Sequence, residues 1–511
     1  MPLAKVVSGT TVGLDPVPVE VEVNLENKGF PRFTIVGLPG KAVEEAKERV
    51  RSAIRNSGAA FPEHRITVNL APADLPKQGP SYDLPIALGI LIASEQIHGD
   101  TSSSIFYGEL SLDGSLRRTP GVLPLAFLAK EKGYKNLYLP SDNTKEASVV
   151  EGISSYGVPS LKSLFFHFSN EQPITPEPFL SFSEILDEDP PSDFDMADIR
   201  GQAHVKRALE VAAAGGHNIS MKGPPGAGKT MLARTIPSIL PKLTVKEALE
   251  VTKIYSITGN LLPDQPLIRT RPFRSPHHTV SRVGLVGGGS NPTPGEISLA
   301  HRGVLFLDEA TELPRSVLEA MRQPLEDGFV TVSRAAGTLV FPSKFILVVA
   351  VNPCPCGYFG DPKHRCTCSS TQVLNYNRRI SGPIWDRIDL HVEVPAVEVD
   401  KLTVDDKPNE ETSKIVRARV QKAREVQQER FKDTNITCNA EMGSKTVKTY
   451  CALSSDCLSL MQKAVSQMSL SARSYYRIIK VARTIADLSG DEDILAPHVA
   501  EALQYRRRDG A

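Results

Sequence analysis

Residues 223–230 read GPPGAGKT and match the phosphate-binding pattern G-x-x-x-x-G-K-[ST] at every fixed position. The eight residues are Gly223, Pro224, Pro225, Gly226, Ala227, Gly228, Lys229 and Thr230. A short apolar run from Ile219 to Met221 precedes them, and the sequence predicts a helix beginning near Lys229. A loop that leads from a strand into a helix presents backbone N–H groups that bind phosphate. We therefore predict a nucleotide site in which Lys229 contacts the β- and γ-phosphates and Thr230 ligates Mg²⁺, with a glycine-rich turn as the alternative.

A second motif, GVLFLDE at 303–309, points to the same chemistry. An apolar strand that runs directly into Asp308 and Glu309 places two carboxylates at the C-terminal edge of a parallel sheet, where α/β folds bind ligands. We expect Asp308 to hold Mg²⁺ through water and Glu309 to polarise the attacking water. The alternative is a strand that ends in two solvated acids, and the presence of both motifs in one predicted domain disfavours it.

Three further positions resemble those of AAA+ ATPases. Asn352 follows the predicted strand Phe345–Val351 and stands where AAA+ proteins have the sensor 1 residue, which positions water against the γ-phosphate. Arg387, in the sequence WDRID, resembles the arginine finger, whose planar guanidinium stabilises phosphoryl charge on the ATP of a neighbouring subunit. Arg473, in the sequence SAR, resembles the sensor 2 residue. An ordinary surface salt bridge remains the alternative for Arg387.

Longer segments carry a more specific resemblance. The sequences RPFRSPHHTVSRVGLVGGGSNPTPGEISLAHRG at 271–303, NPCPCG at 352–357 and SARSYYRIIKVARTIADL at 471–488 resemble the magnesium-chelatase-like YifB/ComM family, over essentially the whole chain. The resemblance implies a Lon-protease-like N-terminal domain, an AAA+ core with a helix-2 insert, and a helical lid. It also implies a homo-hexamer that works as a DNA helicase and branch-migration motor in recombination and natural transformation. The two nucleotide motifs alone predict no more than an AAA+ ATPase.

Two segments of the core are candidates for DNA contact. Residues 283–294 are glycine-rich, which predicts a mobile loop rather than a strand. Val330–Arg334 and Thr338–Phe341 alternate like the two strands of a hairpin, and the family resemblance implies that such inserts point into the pore of the ring. Arg334 near the hairpin tip and Arg282 before the loop are therefore DNA-contact candidates. A solvated surface role stays open for each.

Four of the seven cysteines, Cys354, Cys356, Cys366 and Cys368, form two C-x-C pairs within one short segment. Thiolates on turns can converge on a tetrahedral Zn²⁺, and four thiolates leave no open position for catalysis. We expect a structural zinc site that braces the segment between Asn352 and Arg387. Reduced thiols without metal, redox-active thiols and a metal site that includes His364 are the alternatives.

The segment PKQGPS at 76–81 resembles the loop that carries the nucleophilic serine of Lon-type proteases. That chemistry needs a lysine amine to take the hydroxyl proton. Leu125 stands where the lysine is expected, and Lys130 lies further along the chain. We therefore predict that Ser81 lacks a base and that this domain is a non-proteolytic scaffold or a platform that faces DNA.

The fold class expected from these observations is α/β, with an AAA+ P-loop core of parallel sheet and a helical lid. The resemblance implies that a Lon-protease-like, ribosomal S5-like α+β domain precedes the core. A proline-rich, acidic stretch and a change to helical periodicity after residue 396 suggest the boundaries. The expected division is 1–170 for the N-terminal domain, 171–192 for a linker, 193–396 for the core and 397–511 for the lid.

Composition limits the setting of this activity but does not identify its partner. Lys+Arg and Asp+Glu both number 59, so any affinity for nucleic acid must come from a local basic surface. The N-terminus lacks the apolar run of a signal peptide, and the apolar stretch Leu84–Ala93 is too short to span a bilayer. We expect a cytoplasmic protein that uses ATP and Mg²⁺, contacts no membrane and binds branched or single-stranded DNA.

Three other functional classes stay open at this point, one of which is a non-enzymatic ATP switch in which Glu309 is silent. The AAA+ core permits a chelatase-type motor that remodels a protein partner, although the N-terminal domain and the cysteine cluster argue against it. An ATP-dependent protease rests on Ser81 and is weakened by Leu125.

Overall fold

The computed structural model describes residues 3–26, 30–187, 193–289, 292–334, 337–361, 364–395, 411–468 and 470–507, without the side chains at 183, 187 and 334. Two compact units interleave along the chain. The first comprises Met1–Glu188 and Thr244–Arg269, and the second comprises Asp189–Leu243 and Thr270–Ala511.

The first unit contains a mixed sheet of eight strands. In spatial order these are Pro176–Glu177, Ser154–Val158, Asn136–Pro140, Ser104–Phe106, Leu3–Val12, Asp15–Glu26, Arg65–Ala71 and Arg32–Val36. Leu3–Val12 and Asp15–Glu26 pair antiparallel in register from Leu3 opposite Asn24 to Val12 opposite Asp15. Glu109–Leu110 and Leu116–Arg117 form a separate antiparallel pair.

The helices of the first unit pack against this sheet and against one another. They are Lys41–Asn56, Asp83–Ala93, Val122–Lys132, Thr144–Ala147, Leu161–Phe168, Phe182–Asp187 and Val245–Ile257. Asp83–Ala93 is apolar on all sides, and every residue in it except Ile92 is buried. A helix without a polar face belongs in a core, which explains its central position.

Residues 244–269 lie between the two nucleotide motifs in sequence but cluster with the first unit. Their helix, Val245–Ile257, begins with a capping box formed by Thr244 and Glu247. Ser256 near its end donates to the buried Glu146 carboxylate at 2.5 Å, and its carbonyl accepts from Gly121 N at 3.0 Å. Nothing in the sequence indicates this grouping, and the predicted core of 193–396 includes residues 244–269.

The second unit contains a five-stranded sheet in which all pairs are parallel. In spatial order its strands are Phe273–Arg274, Val304–Leu307, Ile346–Val351, Ile219–Lys222 and Leu390–Glu393. The predicted α/β core with a parallel sheet is confirmed. Because parallel strands end at a common edge, the residues that follow Lys222, Leu307 and Val351 are brought together.

The helices of the second unit fall into two groups. The helices before residue 400 are Ala203–Gly215, Lys229–Ile239, Arg282–Val286, Glu296–Leu299, Arg315–Ala320, Arg322–Asp327, Ser370–Asn377 and Gly382–Trp385. Those after residue 410 are Ser413–Arg430, Ser444–Tyr450, Ser455–Met468, Ala472–Ser489 and Ala496–Gln504. The predicted change to helical structure is confirmed for the part of the chain described after 410. Among all helices described here, none combines the length and apolar character that a membrane crossing requires.

Two antiparallel pairs complete the second unit. Phe329–Arg334 and Gly337–Pro342 form the predicted hairpin, with Phe329 opposite Pro342. The prediction that 283–294 is a loop rather than a strand was wrong, because Arg282–Val286 is a short helix capped by the Ser281 hydroxyl and a short strand pair follows it. Gly287–Gly288 then pairs with Thr293–Pro294, because glycine tolerates the positive φ that this tight pairing requires.

Candidate nucleotide-binding site

The phosphate-binding loop has the local structure that its sequence predicts. The strand Ile219–Lys222 leads into it and the helix Lys229–Ile239 follows directly. Gly226 and Gly228 have φ values of +76° and +83°, a region that side chains with a Cβ rarely adopt. The glycines therefore allow the loop to curve around the N-terminus of the helix, where a phosphate would be bound by backbone N–H groups.

The Lys229 side chain lies inside this loop and is buried. Its ammonium group donates to the carbonyls of Gly223 and Pro224, at 2.6 and 2.9 Å, and to Asn352 Oδ1 at 3.0 Å. Burial lowers the pKa of Lys229, and the nearby carboxylates of Asp308 and Glu309 oppose that shift. The ammonium is thus held between the loop and the end of a neighbouring strand, in position to meet a phosphate.

The acidic motif meets the loop from the adjacent strand. The Thr230 hydroxyl donates to Asp308 Oδ2 at 2.8 Å, and the backbone N–H of Glu309 donates to Asp308 Oδ1 at 3.0 Å. Glu309 has a φ of +45°, which is unusual for a residue with a side chain, and the residue is exposed. A hydroxyl and a carboxylate at this distance form the pair of oxygen ligands that Mg²⁺ prefers beside phosphates.

The cysteine segment packs directly against the phosphate-binding loop. A Cβ placed on Gly357, whose φ is +87°, would lie 2.5 Å from Pro225 Cδ. Asn352, which accepts from Lys229, is only two residues before Cys354. Contacts that hold the cysteine segment in place therefore also hold the phosphate-binding loop and the Asn352 amide in place.

The four cysteine sulfurs form one cluster, with all Sγ atoms within 4.8 Å of one another. The distances are 3.3 Å for Cys354–Cys356, 3.7 Å for Cys354–Cys366 and 3.6 Å for Cys356–Cys366. A tetrahedral Zn²⁺ with Zn–S bonds of about 2.3 Å needs sulfurs about 3.8 Å apart, so the cluster fits this metal. Backbone N–H groups of Tyr358 and Thr367 lower the pKa of Cys356, whereas burial and the neighbouring thiols raise the pKa of Cys366 and of Cys368. Cys356 is therefore the thiol among these three that most readily becomes a thiolate.

The two arginines predicted to serve a neighbouring subunit meet at one carboxylate. Arg387 donates through Nη2 to Glu326 Oε2 and through Nη1 to the Pro383 carbonyl at 2.5 Å. Arg473 donates through Nη2 to Glu326 Oε1 at 3.2 Å. The structure therefore brings Arg387 and Arg473 together at Glu326. The contacts of Lys229, described above, are with a different set of residues. The position of Glu326 could not be predicted from the sequence, because nothing local in the helix Arg322–Asp327 marks it.

A buried polar network joins the segment that carries Arg387 to the helix Ala472–Ser489. Asp389, two residues after Arg387, accepts from His217 at 3.0 Å, and the other ring nitrogen of His217 lies 2.8 Å from Thr484 Oγ1. Arg477 of the same helix donates to the Ile388 carbonyl at 2.5 Å. The segment that carries Arg387 and the helix that carries Arg473 are thus joined at several points.

The candidates for DNA contact have different surroundings. The Arg282 side chain is exposed at the start of its short helix, whereas the side chain of Arg334 lies outside the described residues. Of the nearby basic residues, Arg274 forms a two-fold ion pair with Glu296, at 2.6 and 2.8 Å. Arg271 donates to the carbonyls of Pro241 and Arg302. Arg271 and Arg274 therefore have structural roles within the chain.

In the first unit, the residues of the protease comparison are part of the core. Ser81 is buried, and Leu125 is buried against Gly9, where an added Cβ would lie 2.3 Å from Leu125 Cδ1. Lys77 is also buried, and its ammonium group donates to the Pro72 carbonyl. The position of the expected lysine is thus filled by a packed leucine.

Comparison with known proteins assigns families to three stretches of the chain. Residues 195–402 match the family described as magnesium chelatase, subunit ChlI, and residues 410–506 match the C-terminal family of the same subunit. Residues 19–143 match a further family, described as subunit ChlI of Mg-chelatase.

Individual relatives extend over the full length. The chain is 44% identical over 507 residues to the competence protein ComM of Haemophilus influenzae, covering 99% of this chain and 98% of that protein. It is 42% identical over 511 residues to the protein YifB of Escherichia coli, covering 100% and 98%. A shorter match, 27% identical over 179 residues, relates 31% of the chain to 50% of the magnesium-chelatase 38 kDa subunit of Rhodobacter capsulatus.

Proposed function

Because the chain belongs to the magnesium-chelatase-like YifB/ComM family of AAA+ ATPases, we propose that it is an ATP-driven hexameric DNA motor. Its activity is that of a helicase or branch-migration translocase in recombination and natural transformation. The observation that carries the proposal is the single hydrogen-bonded site formed by Lys229, Thr230, Asp308 and Asn352, reached from three parallel strands. The relative named as a competence protein supports the DNA-related part of the proposal.

The residues of this site have separate roles in ATP hydrolysis. Lys229 and the backbone of residues 223–228 bind the phosphates, and the joined oxygens of Thr230 and Asp308 would hold Mg²⁺, which neutralises phosphate charge when bound. Glu309 accepts a proton from, or orients, the attacking water, and Asn352 positions that water. Arg387 and Arg473 act on the ATP of the neighbouring subunit.

The experiment that tests the DNA motor is ATP turnover by the full chain, with and without branched DNA. We expect branched DNA to stimulate turnover, because a translocase hydrolyses ATP faster when its pore holds a strand. Glu309→Gln should lower turnover by about 10²-fold or more, with and without DNA, because it removes the general base while keeping the side-chain volume.

Turnover that DNA leaves unchanged would contradict the motor and favour the alternative, a chelatase-type AAA+ protein that remodels a protein partner. The matches to magnesium chelatase families are the observation behind that alternative. Casein cleavage that disappears in Ser81→Ala would instead revive a protease, which the packed Leu125 argues against.

We also propose that Cys354, Cys356, Cys366 and Cys368 hold one structural Zn²⁺. The proposal rests on the sulfur distances and on the four-thiolate donor set, which leaves no position for a substrate. Through Gly357 and Pro225 the metal would brace the phosphate-binding loop.

Cys366→Ser should release the metal and weaken ATP binding. We expect zinc content to fall from about one per chain to near zero, and the KM for ATP to rise several-fold because the loop loses its support. Elemental analysis and steady-state kinetics measure the two effects. Cys457→Ser is the matched control, because Cys457 is buried elsewhere and its Sγ donates to the Ile494 carbonyl, a bond that serine also makes. Full zinc content in Cys366→Ser would contradict the proposed ligand set.

A further inference from the structure

Glu326 occupies an unusual position between two arginines that are proposed to act on another subunit. Its carboxylate uses one oxygen for Arg387 and the other for Arg473, so both acceptor atoms are engaged within the chain. The Arg387 guanidinium, followed by that of Arg473, lowers the pKa of Glu326, which keeps the carboxylate charged. A single acid therefore faces two positive groups.

Arg387 is poorly accessible in this arrangement. Its side chain is only 9% exposed, and its Nη1 and Nη2 are bonded to Pro383 and Glu326. Its Nε is buried, and no partner for it is present among the described residues. An arginine finger must present its guanidinium fork to a phosphate, so Arg387 has to exchange a partner before it can act.

The partner that can be exchanged is Glu326. Its side chain is 52% exposed, and the ion pair with Arg473 is half-exposed on both sides. Exposed ion pairs are weak in water, whereas a multiply charged phosphate binds an arginine fork more strongly than one carboxylate does. Pro383, by contrast, offers a backbone carbonyl that stays with the segment.

We propose that Glu326 holds Arg387 and Arg473 in the free subunit and releases them when the γ-phosphate of a neighbouring subunit takes its place. This inference rests on the proposed role of Arg387 as an arginine finger. Glu326 is then a positioning residue that acts through the two arginines. It keeps their charges compensated until the ring and its nucleotide are assembled, and each turnover includes the release of this carboxylate.

Glu326→Gln tests the inference, because glutamine keeps the size and one acceptor oxygen but removes the charge. We expect kcat for ATP, measured on the full chain without DNA at saturating protein concentration, to rise about two- to fivefold, since release of Glu326 from the nearly buried Arg387 limits this step. The KM for ATP should stay unchanged, because the residues that bind the chain's own ATP are untouched. A purely structural role would lower kcat or the thermal midpoint and could not raise turnover.

Three companion variants make the result specific. Glu429→Gln removes the carboxylate of an exposed pair with Lys432, far along the helix Ser413–Arg430, and should leave kcat unchanged. Glu326→Asp keeps the charge but shortens the reach, so it should raise kcat less than Glu326→Gln and serves if the latter fails to fold. The double variant Glu326→Gln with Arg387→Ala should be inactive, because the gain depends on Arg387.

The outcomes separate this inference from the proposed function. An unchanged or lower kcat in Glu326→Gln and Glu326→Asp, with Arg387→Ala still inactive, would overturn the role of Glu326 and leave the arginine finger standing. Normal turnover in Arg387→Ala would overturn both. A rise in kcat that survives in the double variant would show that Glu326 acts on a different group.

Discussion

Arg387→Ala should bind ATP normally but lose about 10³-fold or more of its turnover, which is the range measured for arginine fingers. Binding persists because Lys229, Thr230 and Asp308 make their contacts without Arg387. Turnover is lost because, in the proposed ring, Arg473 alone would not compensate the charge that spreads over the neighbour's γ-phosphate during transfer. Nucleotide affinity by fluorescence and single-turnover hydrolysis measure the two effects on the same preparation.

A mixing experiment shows whether the arginine works across subunits. In the proposed ring, each ATP site would take Glu309 from one subunit and Arg387 from the next. Arg387→Ala and Glu309→Gln should each be inactive alone, but an equal mixture should recover about a quarter of wild-type turnover. In a randomly mixed ring, about one site in four has an Arg387→Ala subunit that supplies Glu309 and a Glu309→Gln subunit that supplies Arg387. If Arg387 served its own subunit, no mixture of the two would regain activity.

Arg387→Lys is the matched variant for charge. Lysine keeps the positive charge but loses the guanidinium fork, and it cannot bond Pro383 and a phosphate in the same geometry. We expect it to remain close to Arg387→Ala in turnover. Recovery to near the wild-type rate would mean that charge alone is required and would contradict the finger assignment.

The nucleotide site could be predicted from sequence because each of its parts is local. Lys229, Asp308 and Asn352 each follow a short apolar strand, and parallel strands must end at one edge. The hairpin of Phe329–Arg334 and Gly337–Pro342 was visible for a similar reason, since alternation and a short connection are properties of adjacent residues.

The features that escaped prediction depend on partners distant in sequence. An amphipathic helix such as Val245–Ile257 reveals that it has an apolar face, but not that this face belongs with the first unit rather than the second. In the sequence, Glu326 cannot be distinguished from an ordinary surface acid. Only the structure shows that it pairs with Arg387 and Arg473. The roles of the individual site residues and the domain boundaries remain predictions from the sequence.

Asp487→Ala should destabilise the second unit by about 3–5 kcal/mol, because it leaves buried positive charges without compensation. The Asp487 carboxylate is fully buried and accepts from Arg430 at 2.6 and 2.9 Å and from Arg483 at 2.9 Å. Asn439 bonds both Asp487 and Thr484, so the same loss reaches the network around His217. Chemical unfolding followed by circular dichroism measures the effect, and the exposed Glu429→Gln should leave the midpoint unchanged.

The reason for expecting so large a loss can itself be tested by a second substitution. If the cost comes from unpaired buried charge, replacing Arg430 by methionine in the Asp487→Ala background should recover part of it, since one of the two uncompensated guanidinium groups is gone. If the loss of stability came only from the missing hydrogen bonds of Asp487, replacing Arg430 by methionine would destabilise the Asp487→Ala variant further. Recovery of stability without recovery of ATP turnover would further show that the network holds Asp389, and with it Arg387, in position, because His217 and Thr484 link that segment to the helix that carries Asp487.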